Sequence, residues 1–213
     1  MREFIYFSQK ARTSGNWTDL MKAGRMDIVC NVIIASLFLS HKIREDVHLH
    51  LIFNGPPNPP MHLEFISNSD MPISKKDVSG LIKRMLYKCD EKKKREIFPG
   101  CFIEKKSFSR LVKELEDKGR KIIITDLKGD NIRNLDDNYF KNSVFVVGDH
   151  DGLPKKELKK FQNRISIGKK IYFASHVFVI IHNELDNRNL YDDARPYGNE
   201  SDLNKTLCYI YCL

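Results

Sequence analysis

Short apolar runs alternate along this chain with longer stretches in which apolar residues recur at helical spacing. The apolar runs predict strands at residues 2–8, 47–53, 62–66, 101–104, 121–125, 144–147 and 164–167. The helical spacing predicts helices over roughly 27–40, from Val78 to Cys89, from Phe108 to the glycine at 119, over 155–161 and over 174–190. Strands that alternate with helices favour an α/β fold, in which a mostly parallel sheet is covered on both faces.

The domain organisation follows from what the chain lacks. The sequence has no internal repeat, no low-complexity segment and no linker long enough to separate two domains. From Asp192 onward the composition turns polar, with a proline and a glycine soon after. We therefore expect one domain over residues 1–191 and a C-terminal tail over residues 192–213.

Two of the predicted helices carry additional signals. The helix over 27–40 is apolar almost all round, so it must be buried on every side, either within its own subunit or at a subunit interface. Before the next helix, Ser74 is followed three residues later by Asp77, which is a capping-box pattern. This pattern predicts that Ser74 is the N-cap of that helix.

Composition narrows the class of protein. The chain has 213 residues, 41% hydrophobic and 30% charged, with a formal net charge of +8 and a pI near 9.2. Clustered lysines favour a polyanionic partner such as nucleic acid, although a solvated lysine-rich surface has the same composition. No apolar run is long enough to cross a bilayer, and the start does not resemble a signal peptide. We therefore expect a cytoplasmic protein that does not bind membranes.

Cysteine and histidine spacing argues against disulfides and metals at this stage. The five cysteines form neither a disulfide framework nor a Cys-x-x-Cys pair. His48 and His50 lie on one face of a predicted strand, but the sequence places no third ligand beside them. The sequence therefore predicts no metal site.

Two glycine-containing loops point to a ligand pocket near the C-terminus. The segment Gly148-Asp149-His150-Asp151-Gly152-Leu153-Pro154 directly follows the buried strand at 144–147. A second loop runs from Gly168 to His176. Glycine allows a close backbone approach, and ligands of open parallel sheets bind at the carboxyl ends of the strands. Both loops are expected at that edge.

Five motifs, in order along residues 1–190, resemble those of a known family. They are Ser14-Gly15 with Asp19, Asn54-Gly55-Pro56-Pro57, Gly148-Asp149-His150-Asp151-Gly152, Lys170-Ile171-Tyr172-Phe173-Ala174-Ser175-His176, and His182-Asn183-Glu184-Leu185-Asp186. The chain thereby resembles the SPOUT class of S-adenosylmethionine-dependent RNA methyltransferases. Within that class it is similar to the archaeal tRNA pseudouridine-54 N1-methyltransferases.

The resemblance implies a fold, a cofactor and an assembly. It implies a single-domain SPOUT α/β fold with a C-terminal trefoil knot, a homodimer, and S-adenosyl-L-methionine held by three loops of the knot. Those loops correspond here to Leu127, Gly148, Ile171, Tyr172, Phe173, Ala174, Ser175 and His176. Tyr172 and Phe173 could stack on the cofactor or the target base, or simply pack within the knot.

The resemblance also implies methylation of N1 of pseudouridine 54 in the T-loop of tRNA. That nitrogen must lose a proton, and Asp149 and His150 are the candidate catalytic residues. Both also have ordinary structural roles in turns. The candidates for RNA contact are Arg12, Arg25, Asp27, Asn54 and Gly55. These could equally be surface residues and a rigid proline loop.

Three other functions stay open on the sequence. One is a pseudouridine N1-methyltransferase that acts on ribosomal RNA, since the reactive nitrogen is the same. A ribose 2′-O-methyltransferase is disfavoured because the chain lacks an arginine-and-asparagine motif on an early strand. The third, an RNA-binding protein without activity, is disfavoured by the intact loop at 148–153, since a pure binding surface needs no concave cofactor site.

Overall fold

Eight strands form one sheet in the computed structural model, which describes residues 1–90 and 92–191. The strands are β1 Arg2–Ser8, β2 Val47–Phe53, β3 Met61–Ile66, β4 Arg95–Phe98, β5 Cys101–Glu104, β6 Lys121–Asn131, β7 Ser143–Gly148 and β8 Arg164–Ser166. The helices are α1 Met26–Leu37, α2 Val78–Tyr87, α3 Phe108–Asp117, α4 Lys155–Leu158 and α5 Ala174–Asn187. The predicted tail at 192–213 lies outside the described residues.

The sheet has a parallel half and an antiparallel half. Its strand order is β4-β5-β3-β2-β1-β7-β6-β8. Five neighbouring strands in this order, β2, β1, β7, β6 and β8, pair in parallel, as the alternation of strands and helices predicts. β3 pairs antiparallel with β2 because only the loop at 54–60 joins them, which is too short for a helical crossover. β5 and β4 extend this antiparallel edge.

Alternating side chains of the strands build a core on each face of the sheet. Phe4 and Tyr6 of β1 belong to the larger core, which α1, α2 and α5 cover. Ile5 and Phe7 of the same strand belong to the smaller core under α3. One strand therefore supplies both cores, which is why β1 is almost wholly buried.

Helices α1, α4 and α5 each end three residues before the predicted end, and three further elements differ more from the sequence prediction. Helix α2 begins at Val78 and has Asp77, not Ser74, at its N-cap position; the hydroxyl of Ser74 instead accepts a hydrogen bond from the amide of Lys76 in the preceding turn. β4 was not predicted because its residues are mostly exposed and lie in a charged stretch. β6 continues to Asn131 through an irregularity between Thr125 and Asp130, where the sequence predicts a loop.

Helix α1 is buried over most, but not all, of its surface. Eight of its residues are buried, whereas Ile34 and Ala35 are half-buried and Asn31 is exposed. One side of α1 packs against α5. The sequence predicts that this helix is buried on every side. Within the described chain, only part of its circumference is buried. Among the described residues, no helix combines the length and apolar character needed to cross a membrane.

Candidate functional site

A cavity of about 630 Å³ opens at the carboxyl edge of the parallel strands. It lies where the irregular part of β6 and the chain segments after β7 and β8 come together with the start of α5. Seven of the eight predicted cofactor-binding residues line it, and these are Leu127, Gly148, Ile171, Tyr172, Phe173, Ala174 and His176. Ser175 does not; it lines a neighbouring cavity instead.

The turn after β7 brings its backbone to the cavity wall. A Cβ added to Gly148 would lie 2.6 Å from the carbonyl carbon of Gly152, so only glycine fits there. Gly152 itself has φ +74, in the left-handed region that favours glycine, and its amide donates to the carbonyl of Asp149 at 2.9 Å. The turn is therefore tight, and its main chain forms part of the wall.

The wall beside it comes from the irregular part of β6. Leu127 is 52% exposed and lines the cavity. The neighbouring Asp126 accepts a hydrogen bond from Arg164, with 3.0 Å between Nη1 of the arginine and Oδ2 of the aspartate. Thr125 donates its hydroxyl to the carbonyl of Val146 at 3.0 Å, which ties β6 to β7. The bulge thus turns an apolar side chain outward while the strand beneath it stays fixed.

The third wall is the segment that leads into α5. Ile171 is 87% exposed and Phe173 is 69% exposed. Before them, Ser166 donates its hydroxyl to the carbonyl of Gly168 at 3.1 Å and accepts from its amide at 3.3 Å. These two hydrogen bonds fix the chain directly after β8. The exposed apolar side chains that follow lie at the mouth of the cavity.

Asp149 points inward from the turn. Its Oδ2 accepts hydrogen bonds from the hydroxyl of Ser8 at 3.0 Å and from the amide of Gln9 at 2.9 Å. Its Oδ1 accepts from the amide of Asp151 at 2.9 Å. Oδ2 therefore joins the turn after β7 to the end of β1, and Oδ1 closes the turn itself. With both oxygens hydrogen-bonded inside the protein, this carboxylate holds the loop in position.

His150 and two charged partners face the opening of the same cavity. The His150 side chain is about one third exposed, and its Nε2 lies 3.6 Å from Oδ2 of Asp151. Lys10 contacts the same oxygen at 2.6 Å. The hydrogen bond from Lys10 is the main cause that lowers the pKa of Asp151. The imidazole is thus available to a substrate, next to a carboxylate that stays ionised.

Two of the predicted RNA contacts, Asn54 and Gly55, support the loop after β1. The amide of Asn54 donates to the carbonyl of Ser8 at 2.9 Å, and the amide of Gly55 donates to that of Ala11 at 3.0 Å. A Cβ on Gly55 would lie 2.2 Å from the carbonyl oxygen of Lys10. Close packing of the two loops therefore explains this glycine without reference to RNA.

The predicted RNA contact Arg12 lies on that supported loop. Its amide donates to the carbonyl of Ala23 at 3.2 Å, and its side chain is half-buried. Its Nε is buried without a hydrogen-bond partner among the described residues. The loop therefore places a guanidinium near the ends of β1 and β2 without a fixed intramolecular partner for that nitrogen.

Arg25 and Asp27 form a forked ion pair at the start of α1. The guanidinium donates to the two carboxylate oxygens at 3.0 and 2.9 Å. This hydrogen bond from Arg25 is the leading cause that lowers the pKa of Asp27. Arg25 has φ +64, an uncommon conformation for a residue other than glycine. The pair lines the neighbouring cavity together with Phe173, Ser175 and His176.

The sequence prediction missed part of the cavity lining. Ile28 of α1 contributes from another layer of the fold, and no sequence signal marks it. Ile165, Ser166 and Ile167 also line the cavity. These three could have been found, because they end a buried strand and the carboxyl ends of parallel strands share one edge.

Known proteins are similar to this chain over most of its length. The family model described as "Putative SAM-dependent RNA methyltransferase" matches residues 1–190. A relative from Methanococcoides burtonii, named tRNA (pseudouridine(54)-N(1))-methyltransferase, is 37% identical over 199 residues, covering 89% of this chain and 98% of the relative. A relative of the same name from Methanocaldococcus jannaschii is 32% identical over 205 residues, with the same two coverages.

A solved structure is similar in fold. Archaeoglobus fulgidus Nep1, in a crystal structure bound to S-adenosylhomocysteine, matches 89% of this chain and 99% of its own chain. The TM-score is 0.59 and the sequence identity is 13%, so this likeness concerns the fold alone. It confirms the predicted fold class, a single SPOUT-type α/β domain with a mostly parallel sheet. The trefoil knot is implied by that fold.

Proposed function

Since this chain belongs to the family of S-adenosylmethionine-dependent RNA methyltransferases that includes the tRNA (pseudouridine(54)-N(1))-methyltransferases, we propose that it methylates N1 of pseudouridine 54 in the T-loop of tRNA. The observation that carries the proposal is the convergence of three loops on one cavity at the carboxyl edge of the sheet. These loops lie within the residues that the family model matches. The net charge of +8 suits a polyanionic substrate.

The cavity fits S-adenosyl-L-methionine. Its volume of about 630 Å³ lies within the usual range of small-molecule sites, about 300–1,000 Å³. The main chain at Gly148 and Gly152 forms one wall, and these two segments pack so closely that a Cβ at Gly148 would lie 2.6 Å from the carbonyl carbon of Gly152. Apolar side chains such as Leu127 and Ile171 could flank an adenine ring. The bound cofactor supplies an electrophilic methyl group, so the protein must mainly orient the accepting nitrogen and receive its proton.

His150 is the better of the two candidates for receiving that proton. Its imidazole is partly exposed at the cavity, where a ring nitrogen can accept a hydrogen from a bound substrate. The carboxylate of Asp149 is occupied by Ser8, Gln9 and Asp151. In this proposal Asp149 holds the loop in place, and His150 contacts the substrate.

RNA contact is proposed for the loop after β1 and for the start of α1. Arg12 lies on that loop with a half-buried side chain, so its positive charge is available near the ends of β1 and β2. Arg25 and Asp27 lie beside the loop that leads into α5 and could contact the nucleotides around the target. Asn54 and Gly55 act indirectly in this scheme, because their main chains hold the Arg12 loop in position.

A homodimer is proposed on the exposed apolar surface around the neighbouring cavity. Half-buried Ile34 and Ala35 of α1 line it together with Phe173 and Val179, which are 69% and 51% exposed. Contiguous exposed apolar surface commonly marks an interface. A second copy would cover the side of α1 that its own subunit leaves open.

The test uses two tRNA transcripts that differ at a single base. One carries uridine at position 54, the other pseudouridine, and transfer of a labelled methyl group is measured for both. We expect transfer to the pseudouridine transcript only, with the product identified by mass spectrometry. Transfer to the uridine transcript would contradict the N1 assignment, because N1 of uridine carries the ribose. Preference for a ribosomal RNA fragment containing pseudouridine would reassign the substrate.

A further inference from the structure

Three histidines and three glutamates form one largely buried cluster, and none of the six lines the cavity described above. It lies on the α3 face of the sheet, across β1, β2, β3 and β5, and begins at the amino end of β1. The cluster consists of Glu3, His48, His50, His62, Glu64 and Glu104. Glu3, His50, His62 and Glu64 are each at most 5% exposed.

Five contacts connect the ring nitrogens of this cluster. His48 meets Glu3 Oε1 through Nδ1 at 3.2 Å and Glu64 through Nε2 at 2.7 Å. His50 meets the same Glu3 Oε1 through Nε2 at 3.1 Å and His62 through Nδ1 at 2.9 Å. His62 completes the series through Nδ1, which lies 3.1 Å from Glu104.

Those contacts need more protons than three neutral imidazoles provide. An ionised carboxylate only accepts hydrogen bonds, so each of the five contacts needs a hydrogen on a ring nitrogen. A neutral imidazole carries one N–H, so three rings provide three. Arg120, Lys94 and Lys106 already contact the three glutamates but supply no hydrogen to the rings. Two contacts therefore face lone pair to lone pair unless two more protons, or a metal ion in their place, bind the ring nitrogens.

The position of the deficit can be traced. Ionised Glu104 requires the hydrogen of His62 on Nδ1, which leaves Nε2 of His62 to accept from Nδ1 of His50. His50 Nε2 then has no hydrogen where it meets Glu3. Likewise, Glu64 takes the hydrogen of His48 on Nε2, which leaves Nδ1 bare. Both bare nitrogens face Glu3 Oε1.

The geometry points to a divalent metal ion bound by Glu3 Oε1, His48 Nδ1 and His50 Nε2. These three ligand atoms all lie within 4.8 Å of one another. Bonds of about 2.0–2.1 Å to Zn²⁺ put neighbouring ligands of a tetrahedral site about 3.3–3.4 Å apart. The separations of 3.2 and 3.1 Å from Glu3 to the two nitrogens are slightly shorter, so a small outward movement of the ligands would admit the ion. One ion with two charges replaces the two missing protons.

The surroundings of the three ligands suit a metal site. Metal-binding histidines usually donate their other N–H to a carboxylate or a similar acceptor, which fixes the ring. His48 has Glu64 in that role, and His50 has His62, which is backed in turn by Glu104. Arg120 binds Oε2 of Glu3, with Nε at 2.6 Å, so Oε1 is left for the ion.

The site joins neighbouring strands rather than serving the transfer reaction. Glu3 pairs with His48 across β1 and β2, at the amino end of β1, whereas the cavity lies beyond the carboxyl end of that strand. His48 keeps 19% of its side chain exposed, so solvent can supply a fourth ligand. The sequence alone predicted no metal because the third ligand, Glu3, is far away along the chain.

The experiment measures metal binding by the full-length chain and needs no enzyme assay. Untagged protein carrying Cys208→Ser and Cys212→Ser, which removes thiolates that could bind zinc, is stripped with a chelator and titrated with Zn²⁺. We expect one equivalent to bind and the melting temperature to rise. Co²⁺ should give visible absorption bands of a low-coordinate nitrogen-and-oxygen site.

Variants locate the ion. His50→Gln should weaken Zn²⁺ binding by more than about 100-fold, and His62→Phe, which removes an outer partner, by about 10–100-fold. His41→Gln, at an exposed histidine, should bind as the parent does. If His50→Gln does not fold, the parent's stoichiometry and cobalt spectrum decide.

Three outcomes would overturn the proposal. One is no uptake of Zn²⁺ by the parent chain. In that case two additional protons on the ring nitrogens, and not a metal ion, would complete the hydrogen bonds of the cluster. Another is uptake that survives His50→Gln. The third is uptake lost instead in His150→Ala, since Asp149, His150 and Asp151 form a second group of closely spaced ligand atoms.

Discussion

Asp149 and His150 are adjacent in the chain, yet their side chains have different surroundings. The carboxylate of Asp149 is buried and accepts three hydrogen bonds from the ends of β1 and β7. The imidazole of His150 faces the cavity and remains partly exposed. These surroundings support the proposed positioning role of Asp149 and the proposed chemical role of His150.

Substitutions of His150 and of Asp149 should therefore change different quantities, the first mainly kcat and the second cofactor affinity and stability. His150→Ala should lower kcat by about 10²–10⁴-fold, the usual contribution of general acid–base catalysis, with little change in the Kd of S-adenosylmethionine. Asp149→Ala should weaken cofactor binding and lower stability by about 1–3 kcal/mol, because Ser8 and two amides lose their acceptor. Single-turnover kinetics and calorimetry measure these effects, with His41→Ala as control. Unchanged cofactor binding in Asp149→Ala would restore Asp149 as a candidate base.

At the scale of elements, the turn after β7 depends on two glycines for different reasons. Gly148 is needed because another main chain lies where its Cβ would be, whereas Gly152 has open space around it but a φ of +74. Gly152→Ala should therefore cost only backbone strain, about 1–2 kcal/mol. Gly148→Ala must displace the loop, so it should also lower affinity for the cofactor.

Cofactor titration and thermal unfolding of the two variants test this difference. Gly119→Ala serves as a control for strain alone, because Gly119 also has a positive φ and open space but lies at the end of α3. If Gly148→Ala binds the cofactor as tightly as Gly119→Ala does, the close approach of the turn is not what shapes the wall.

Most helices and strands can be predicted from the sequence because their burial leaves a pattern of apolar residues. The elements that were missed bury little or depend on pairing between distant segments. Apolar runs such as 144–147 and the stripe from Val78 to Cys89 report burial directly, so β7 and α2 were found. β4 buries little, and its register shift hides any alternation. The continuation of β6 beyond Thr125 depends on pairing with β8, which is distant in the chain.

The candidate site divides in the same way. Loop positions at strand ends could be predicted, whereas Ile28, the partners of Asp149 and the proximity of Glu3 to two histidines follow only from tertiary packing. Local patterns carry information about burial and turns. They carry none about which distant side chains meet.

At the scale of the whole molecule, ion pairs attach α5 to the opposite end of the chain. Asp186 contacts buried Arg2 at 2.5 Å and Arg44 at 2.6 Å, and Arg2 also binds Asp46 at 2.7 Å. Burial acts to raise the pKa of Asp186, but the hydrogen bonds from Arg44 and Arg2 outweigh it, so the net pKa is lowered. The last described helix is thereby held to β1.

Asp186→Asn should lower the free energy of unfolding at neutral pH by about 1–2 kcal/mol, a modest value since the carboxylate is half-exposed. Because the folded pKa lies below the unfolded one, this contribution is present above the unfolded pKa. It is lost as pH falls through the folded pKa. Urea unfolding at several pH values should therefore show the two proteins converging in acid. A difference that stays constant with pH would exclude the ion pairs as its source.

The proposed dimer is a property of the whole molecule because its surface combines α1, α5 and the loop before α5. Val179→Glu would place a charge in the apolar part of that surface, where Val179 is 51% exposed. Burial of an unpaired carboxylate is costly, so the variant should be monomeric in light scattering while its melting temperature changes little. Ser109→Glu adds the same charge at an exposed position of α3 and should leave the assembly intact.

Since Phe173 and His176 line both this surface and the cofactor cavity, the monomer should also bind the cofactor more weakly. A Val179→Glu protein that still dimerises would place the interface elsewhere.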